Sequence, residues 1–229
     1  MIYLFLNESR LVHVARTVPG LTVTIVFLLL ILLQVPALGS ESQDLDRFLE
    51  KVERKSSEIQ SFTCNFRQER HLSIFTRPVI FEGELFLVRP SQLRWEFLRP
   101  VPSVMIFNGS KGMRCSGKSE PQQFDLATNP VMKMVSSQLW NWMDGSYGKM
   151  QDAYRIELAA AGTGIRLQPI DERLARAIAE IRIDFEPVTL QPEKVEIFEQ
   201  GGDRTVISFS SYLPNISLDE SLFTRCLRQ

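Results

Sequence analysis

The sequence predicts a mainly β, α+β domain: a strongly curved antiparallel half-barrel of about ten or eleven strands, with helices against its inner face. Three observations predict it. From Phe81 to Gly109, apolar and polar residues alternate through three consecutive runs, the period of strands with one wet face. Similar short runs recur at hairpin spacing through the second half of the chain. Only two or three stretches carry helical spacing, enough to cover the inside of a curved sheet but not to build a core alone.

The elements follow in order. Arg10 and Arg16 precede the uncharged apolar run Leu21 to Leu33, and Ala37-Leu38-Gly39 places small residues where a signal peptidase cuts. Residues 1–39 are therefore expected to be a cleaved secretory signal peptide, and 40–229 a single domain. Continued to Leu38, the run is about 18 residues and borders on spanning length, so a retained anchor is the alternative; Pro36 and the small residues favour cleavage. Ser40 stands where a lipidated cysteine would be needed, so no lipid anchor is expected.

Leu45, Phe48, Leu49, Val52 and Ile59 fall mostly at spacings of three and four, which predicts an amphipathic helix over Gln43 to Gln60. Phe62, Cys64, Phe66 and Gln68 alternate as a first strand. Phe81, Gly83, Leu85 and Leu87 face one way on the next, with Glu82, Glu84, Phe86 and Val88 on the wet side. Arg89-Pro90-Ser91 breaks it, because proline has no donor for a ladder. Leu93, Trp95 and Phe97 then oppose Arg94 and Glu96. The run Ser103 to Phe107 ends at Asn108-Gly109, a pair suited to a type I′ turn, and Lys111 to Ser116 returns.

Pro130 to Met143 has helical spacing in Val131, Val135, Leu139 and Trp142, but Met132, Met134 and Trp140 widen its apolar surface beyond one stripe. Gly145 and Gly148 follow in a loop. Strand patterns resume at Tyr154–Leu158, Ile165–Pro169, Ile181–Phe185 and Val195–Ile197, and Gly201-Gly202 turns into Thr205, Ile207 and Phe209.

Composition excludes several function classes. Removing Arg10, Arg16 and Glu8 with the signal takes the 26 basic and 27 acidic residues to 24 and 26, a net of −2. Nothing there points to nucleic acid or to stable membrane insertion. Gly112 to Ser119 spells the phosphate-loop expression, but a turn precedes it and no helical pattern follows, so it is rejected. His71 is the only histidine of the mature chain, without a nucleophile elbow, and one His with three scattered Cys supports no zinc site. No catalytic residue, metal or cofactor is expected. Cys64, Cys115 and Cys226 allow one disulfide and one free thiol, with the pairing open; Cys64 alternates with phenylalanines as a small buried residue would.

What remains is apolar surface. Phe66, Leu85, Leu87, Leu93, Trp95, Met105 and Phe107 share one face across four neighbouring strands, and Leu139 and Met143 stand on the Met- and Trp-rich helix. Flexible, polarizable methionine suits a surface that repacks around chains of variable shape.

The segment Phe81 to Gly109, with Phe62, Phe66 and Gln68 before it, resembles the LolA family of periplasmic lipoprotein carriers. The family's strands carry Gly-x-Leu, Arg-Pro, Leu-x-Trp, Pro and Asp/Asn-Gly in that order. The resemblance implies a half-open sheet holding an apolar cavity under a helical lid. It implies a monomeric periplasmic carrier that takes triacylated lipoproteins from the inner-membrane Lol ABC transporter to the outer-membrane receptor of the Lol system. Arg89 matches the arginine that holds the lid shut in relatives, and Leu93 and Trp95 match cavity positions. The end departs from the family pattern, with Arg225-Cys226 where Phe-x-x-Pro is customary. The physics is coherent, since each acyl methylene gains about 0.8 kcal/mol on leaving water and carriage needs no covalent step. Two alternatives differ: a similar binding module for another lipid or hydrophobic product, such as one of a polyene or glycolipid pathway, and a hydrolase using His71 or a carboxylate pair.

Overall fold

The computed structural model describes residues 40–117, 120–160 and 162–226, so the expected signal peptide lies outside the described residues. Helix α1 is Ser40–Ser57, three residues earlier at each end than the apolar spacing predicts. Its first turn carries no apolar residue, so hydrophobic periodicity had nothing to register there. Leu49 and Val52 are buried and Leu45 and Phe48 half-buried against the sheet. Ile59 lies past the helix end yet stays buried, because its N–H bonds back to the Ser56 carbonyl at 3.1 Å.

The strands are β1 Ser61–His71, β2 Val79–Val88, β3 Gln92–Arg99, β4 Ser103–Asn108, β5 Lys111–Ser116 and β6 Gln122–Asp125. Helix α2, Pro130–Asp144, and a 3-10 turn, Tyr147–Met150, follow. Then come β7 Tyr154–Leu158, β8 Gly164–Pro169, the short α3 Glu172–Ala175, β9 Ile178–Phe185, β10 Pro192–Glu199 and β11 Arg204–Pro214. A final 3-10 turn spans Glu220–Phe223. One 11-stranded antiparallel sheet results, in the order β6-β5-β4-β3-β2-β1-β11-β10-β9-β8-β7. Two meanders thus join through their outermost strands in sequence, β1 and β11. The free edges are β6 and β7, and α2 is the covalent link between them.

Strand β6 and helix α3 are additions to the expected elements. Gln122-Gln123-Phe124-Asp125 is too short and polar to alternate visibly, and α3 is one turn capped by the Asp171 side chain. The expected type I′ turn is also corrected. Asn108 pairs with Lys111, so the loop is Gly109-Ser110, and only Gly109 has positive φ, at 63°. A type I′ turn needs both central residues there. Gly112 to Ser116 of the phosphate-loop string lie on β5, and the next element is β6, not a helix.

Register separates the two faces. Cys64 pairs with Leu85, Leu85 with Trp95 and Trp95 with Met105; the next row runs Phe62, Leu87, Leu93, Phe107. These side chains join Ile165, Leu167, Ile181, Ile183, Val195 and Ile207 of the other meander and the inner faces of α1 and α2 in one cluster. Each fully buried aliphatic side chain contributes about 1.5–3 kcal/mol, so this face dominates stability.

The opposite face is not uniformly wet, which corrects the expectation from alternation. Phe86, Val104, Ile106, Cys115 and Phe223 form a second buried cluster, with Leu218, Leu222 and Cys226 packed on it. The C-terminal segment covers this patch and is fixed in two ways. Cys115 and Cys226 form a disulfide, which settles the pairing and leaves Cys64 free and buried. Arg94, placed on the wet side by the sequence pattern, has no exposed surface and donates to the carbonyls of Leu222, Arg225 and Cys226 at 2.7–2.9 Å. Its charge is balanced by Glu96 at 2.9 Å.

Candidate functional site

The helix-covered face of the sheet carries an aromatic cluster at its centre. The Phe66 ring lies 5.1 Å from Trp95 and 5.2 Å from Phe97, and Trp95 lies 6.4 Å from Phe209. Phe81 extends the series to Phe97 at 5.8 Å. Glycine at position 83 permits it: a Cβ there would strike the Glu96 carbonyl and come within 2.6 Å of the Phe66 ring.

The structure brings the nine candidate lipid-contact residues together on this face. Leu85, Leu87 and Leu93 have no exposed surface, and Phe66, Trp95, Phe107 and Met143 are buried with them. Met105 and Leu139 are half-buried against the same cluster. The expected open cavity is a different matter. In this state α1, α2 and the Tyr147 turn fill the space over the sheet. Grooves open at its margin, about 530 Å³ between the start of α1 and β7, and away from it, about 450 Å³ beside Met113 and Phe223 and about 380 Å³ beside Leu98 and the disulfide. The helices cover this face of the sheet.

Helix α2 explains its wide apolar surface by splitting it. Asn129 caps the start, accepting the Met132 N–H at 3.0 Å, and Pro130 occupies the first turn, where its missing donor costs nothing. Met132, Val135, Leu139 and Trp140 meet the cluster half-buried, while Trp142 and Met143 are buried. Val131 and Met134 face solvent, 62% and 53% exposed, so part of the stripe is covered by nothing in the described residues. Gly145 ends the helix at φ 76°, and a Cβ there would come within 2.5 Å of the Ser56 Cβ. That close approach brings the C-terminal ends of α1 and α2 together.

Arg89 sits where they meet. Its Nε donates to the Ile59 carbonyl at 2.7 Å and one Nη to the Ser56 hydroxyl at 2.9 Å. The other Nη pairs with the Asp144 carboxylate. Longer contacts of 3.3 Å reach the Ser56 and Met143 carbonyls. Two helix C-termini thus present carbonyl oxygens and the negative ends of their dipoles to one guanidinium, the arrangement that most favours a cation. Burial lowers the Arg89 pKa from its ordinary value, partly offset by Tyr212. Ser146 extends the network, its hydroxyl lying 2.9 Å from the Asp144 carboxylate and 3.2 Å from that of Glu53, either of which can accept its proton. Sequence reasoning found Arg89 but missed Ser56 and Asp144. Their only signal was position, each one turn or less from a helix end.

Elsewhere the chemistry is sparse. His71 lies 3.4 Å from Glu69 on the sheet, and among the described residues no cluster of His, Cys, Asp and Glu could hold a metal ion. No helix among them is long and apolar enough to cross a membrane.

Comparison with known proteins places this geometry. No curated protein matches the chain. An uncharacterized conserved protein from Thermus thermophilus is similar in structure at 10% identity and TM-score 0.50, over 80% of this chain and 94% of that one. The Pseudomonas aeruginosa MucA/MucB complex structure is similar at 15% identity and TM-score 0.47, over 77% of this chain and 59% of that one. A LolA superfamily protein from Nitrosomonas europaea covers 77% of this chain and 97% of its own at 11% identity and TM-score 0.40. At these identities the likeness concerns the fold alone, a mostly antiparallel open curved sheet with a few helices. The family profile for outer membrane lipoprotein carrier protein LolA matches residues 57–226, which takes in every strand of the sheet, α2 and Arg89, and the chain therefore belongs to the LolA family.

Proposed function

We propose that this protein is a periplasmic carrier that shields the acyl chains of lipoproteins released from the inner membrane and delivers them to the outer-membrane receptor. The observation that carries the proposal is the latch. A large apolar face is closed by helices whose ends are held to the sheet by one polar cluster around Arg89. A carrier needs such a fastening, because its apolar face must be covered when empty and uncovered when loaded.

In this reading residues 1–39 export the chain, and cargo arrives from the inner-membrane Lol transporter and leaves to the Lol receptor. The carrier works as a monomer without catalytic groups, since handing over acyl chains breaks no covalent bond. Non-directional contacts with Phe66, Leu93, Trp95 and their neighbours hold chains of differing length, and opening of α2 admits them.

The test is purification without detergent from the native envelope, followed by mass spectrometry of what remains bound. Triacylated lipoprotein in the complex supports the carrier role. A different lipid class bound at the same face assigns that cargo instead, and a chain that binds no lipid under any extraction condition overturns the reading.

A further inference from the structure

The closed face contains two groups that its own packing does not satisfy. Trp95 and Trp142 are 5% and 7% exposed, and in each the indole Nε1–H is sealed from solvent without an acceptor among the protein groups. An indole nitrogen can only donate, so no rearrangement of its own proton relieves this. Buried donors are almost always paired, and leaving one unpaired costs more than a typical hydrogen bond returns. The two lie on opposite walls of one cluster, Trp95 on β3 of the sheet and Trp142 in the last turns of α2.

The surroundings narrow what would satisfy them. Trp95 stands among the rings of Phe66, Phe97 and Phe209, none of which offers an oxygen. Trp142 is held by its backbone instead: its carbonyl accepts the Tyr147 hydroxyl at 2.6 Å, which fixes the main chain beside the indole. Phenylalanine at either position would pack the same apolar face without a stranded donor. Both positions therefore retain a donor that an entirely hydrocarbon ligand would leave unpaired.

We propose that Trp95 and Trp142 are specificity-determining donors that recognise carbonyl oxygens of acyl esters or amides when α2 lifts. The ligand class is then a carbonyl-bearing acyl group, not a bare hydrocarbon or a terpenoid chain. This rests on the carrier reading above and deepens it. Apolar contacts set how much chain is held, and the two indoles set where its head lies.

The test compares methyl dodecanoate with tetradecane, matched in chain length and delivered to the full-length exported protein from cyclodextrin. Each Trp contributes one indole cross-peak to a nitrogen–proton spectrum, and the half-buried Trp140 serves as the internal reference. The expected result is a downfield shift of the Trp95 and Trp142 indole protons with the ester only, and an affinity preference for the ester of roughly five- to tenfold. Trp95→Phe and Trp142→Phe should each weaken ester binding more than alkane binding, and so reduce the ester preference. The wild-type spectrum needs no variant, so a variant that fails to fold does not disarm the test. Equal affinity for the two probes, or a preference that survives both substitutions, overturns the donor proposal and leaves the carrier reading standing. Failure of both probes to bind at all overturns both.

Discussion

Arg89 and Asp144, 55 positions apart in sequence, meet side chain to side chain where the end of β2 touches the end of α2. The contact joins the sheet to the helix that covers it. Because Arg89 also holds the Ser56 hydroxyl and the Ile59 carbonyl, one side chain closes three segments at once.

Arg89→Leu removes this fastening without emptying the apolar face. The expected loss of stability is about 1–3 kcal/mol, the range for a charge-assisted hydrogen-bond set on a partly buried group. Hydrogen exchange is the decisive measurement. Amides of α2 should exchange much faster while those of β1, β2 and β11 keep most of their protection. A uniform loss across helix and sheet would make Arg89 an ordinary structural residue.

Substitutions along α2 should divide by burial. Met134→Glu falls on the solvent side and should leave both melting temperature and acyl-probe affinity near wild type. Leu139→Lys meets the half-buried part of the cluster and should weaken acyl binding more than it lowers the melting temperature, because a long amphipathic side chain can reach solvent from there. Met143→Glu should cost several kcal/mol, since an unpaired charge would be sealed in the core. Equal effects at all three positions would contradict a helix that is partly cover and partly core.

The C-terminal segment is held by a bond and by a charge, and the two should be separable. Cys226→Ser opens a long loop and should lower stability by about 2–4 kcal/mol. Arg94→Leu removes the ion pair with Glu96 and the donors to three carbonyls and should cost about 3–5 kcal/mol even with the disulfide intact. Chemical denaturation with and without reductant checks both. An Arg94→Leu variant as stable as wild type would remove the buried pair from the account.

Alkaline pH should loosen the fold through Cys64. Burial pushes its thiol up from 9.0 to about 12. The folded state therefore holds this proton more tightly than the unfolded state, so stability is intact below pH 9 and declines as pH rises from 9 toward 12. Burial likewise raises Tyr147 and Tyr212 above their ordinary 10.0, and their share of the decline begins later. Cys64→Ala should remove the earliest part of the slope in a pH series of melting temperatures. An unchanged slope in that variant would assign the whole effect to the tyrosines.

Much of the sheet was legible because its inner face alternates without interruption. Leu85, Leu87, Leu93, Trp95 and Phe107 point inward at a strict period of two, and the structure buries all of them. The outer face was misread for a related reason. Alternation reports which side chains share a face, but not whether a distant segment covers it, and Arg94 in a polar row gave no sign that residues 222–226 would close over it. Arg89 was legible only through the Arg-Pro motif of a known family. Its partners are mostly backbone carbonyls, which no side-chain pattern records. Trp95 was legible as apolar bulk, whereas its unsatisfied nitrogen appears only once the neighbours are in place.

The strand order carries a consequence for how the chain comes together in time. β1 is the first of the strands to be synthesised and β11 the last, yet they are neighbours at the middle of the sheet. Nine intervening strands must be made before that seam can close. Until Arg204–Pro214 is available, the β1–β6 meander has a bare inner edge and no second half to share its apolar face. Such long-range closure is slow by nature, because the loop must be drawn in before the contacts repay it. The nascent polypeptide is therefore held short of its final form for nearly its whole length.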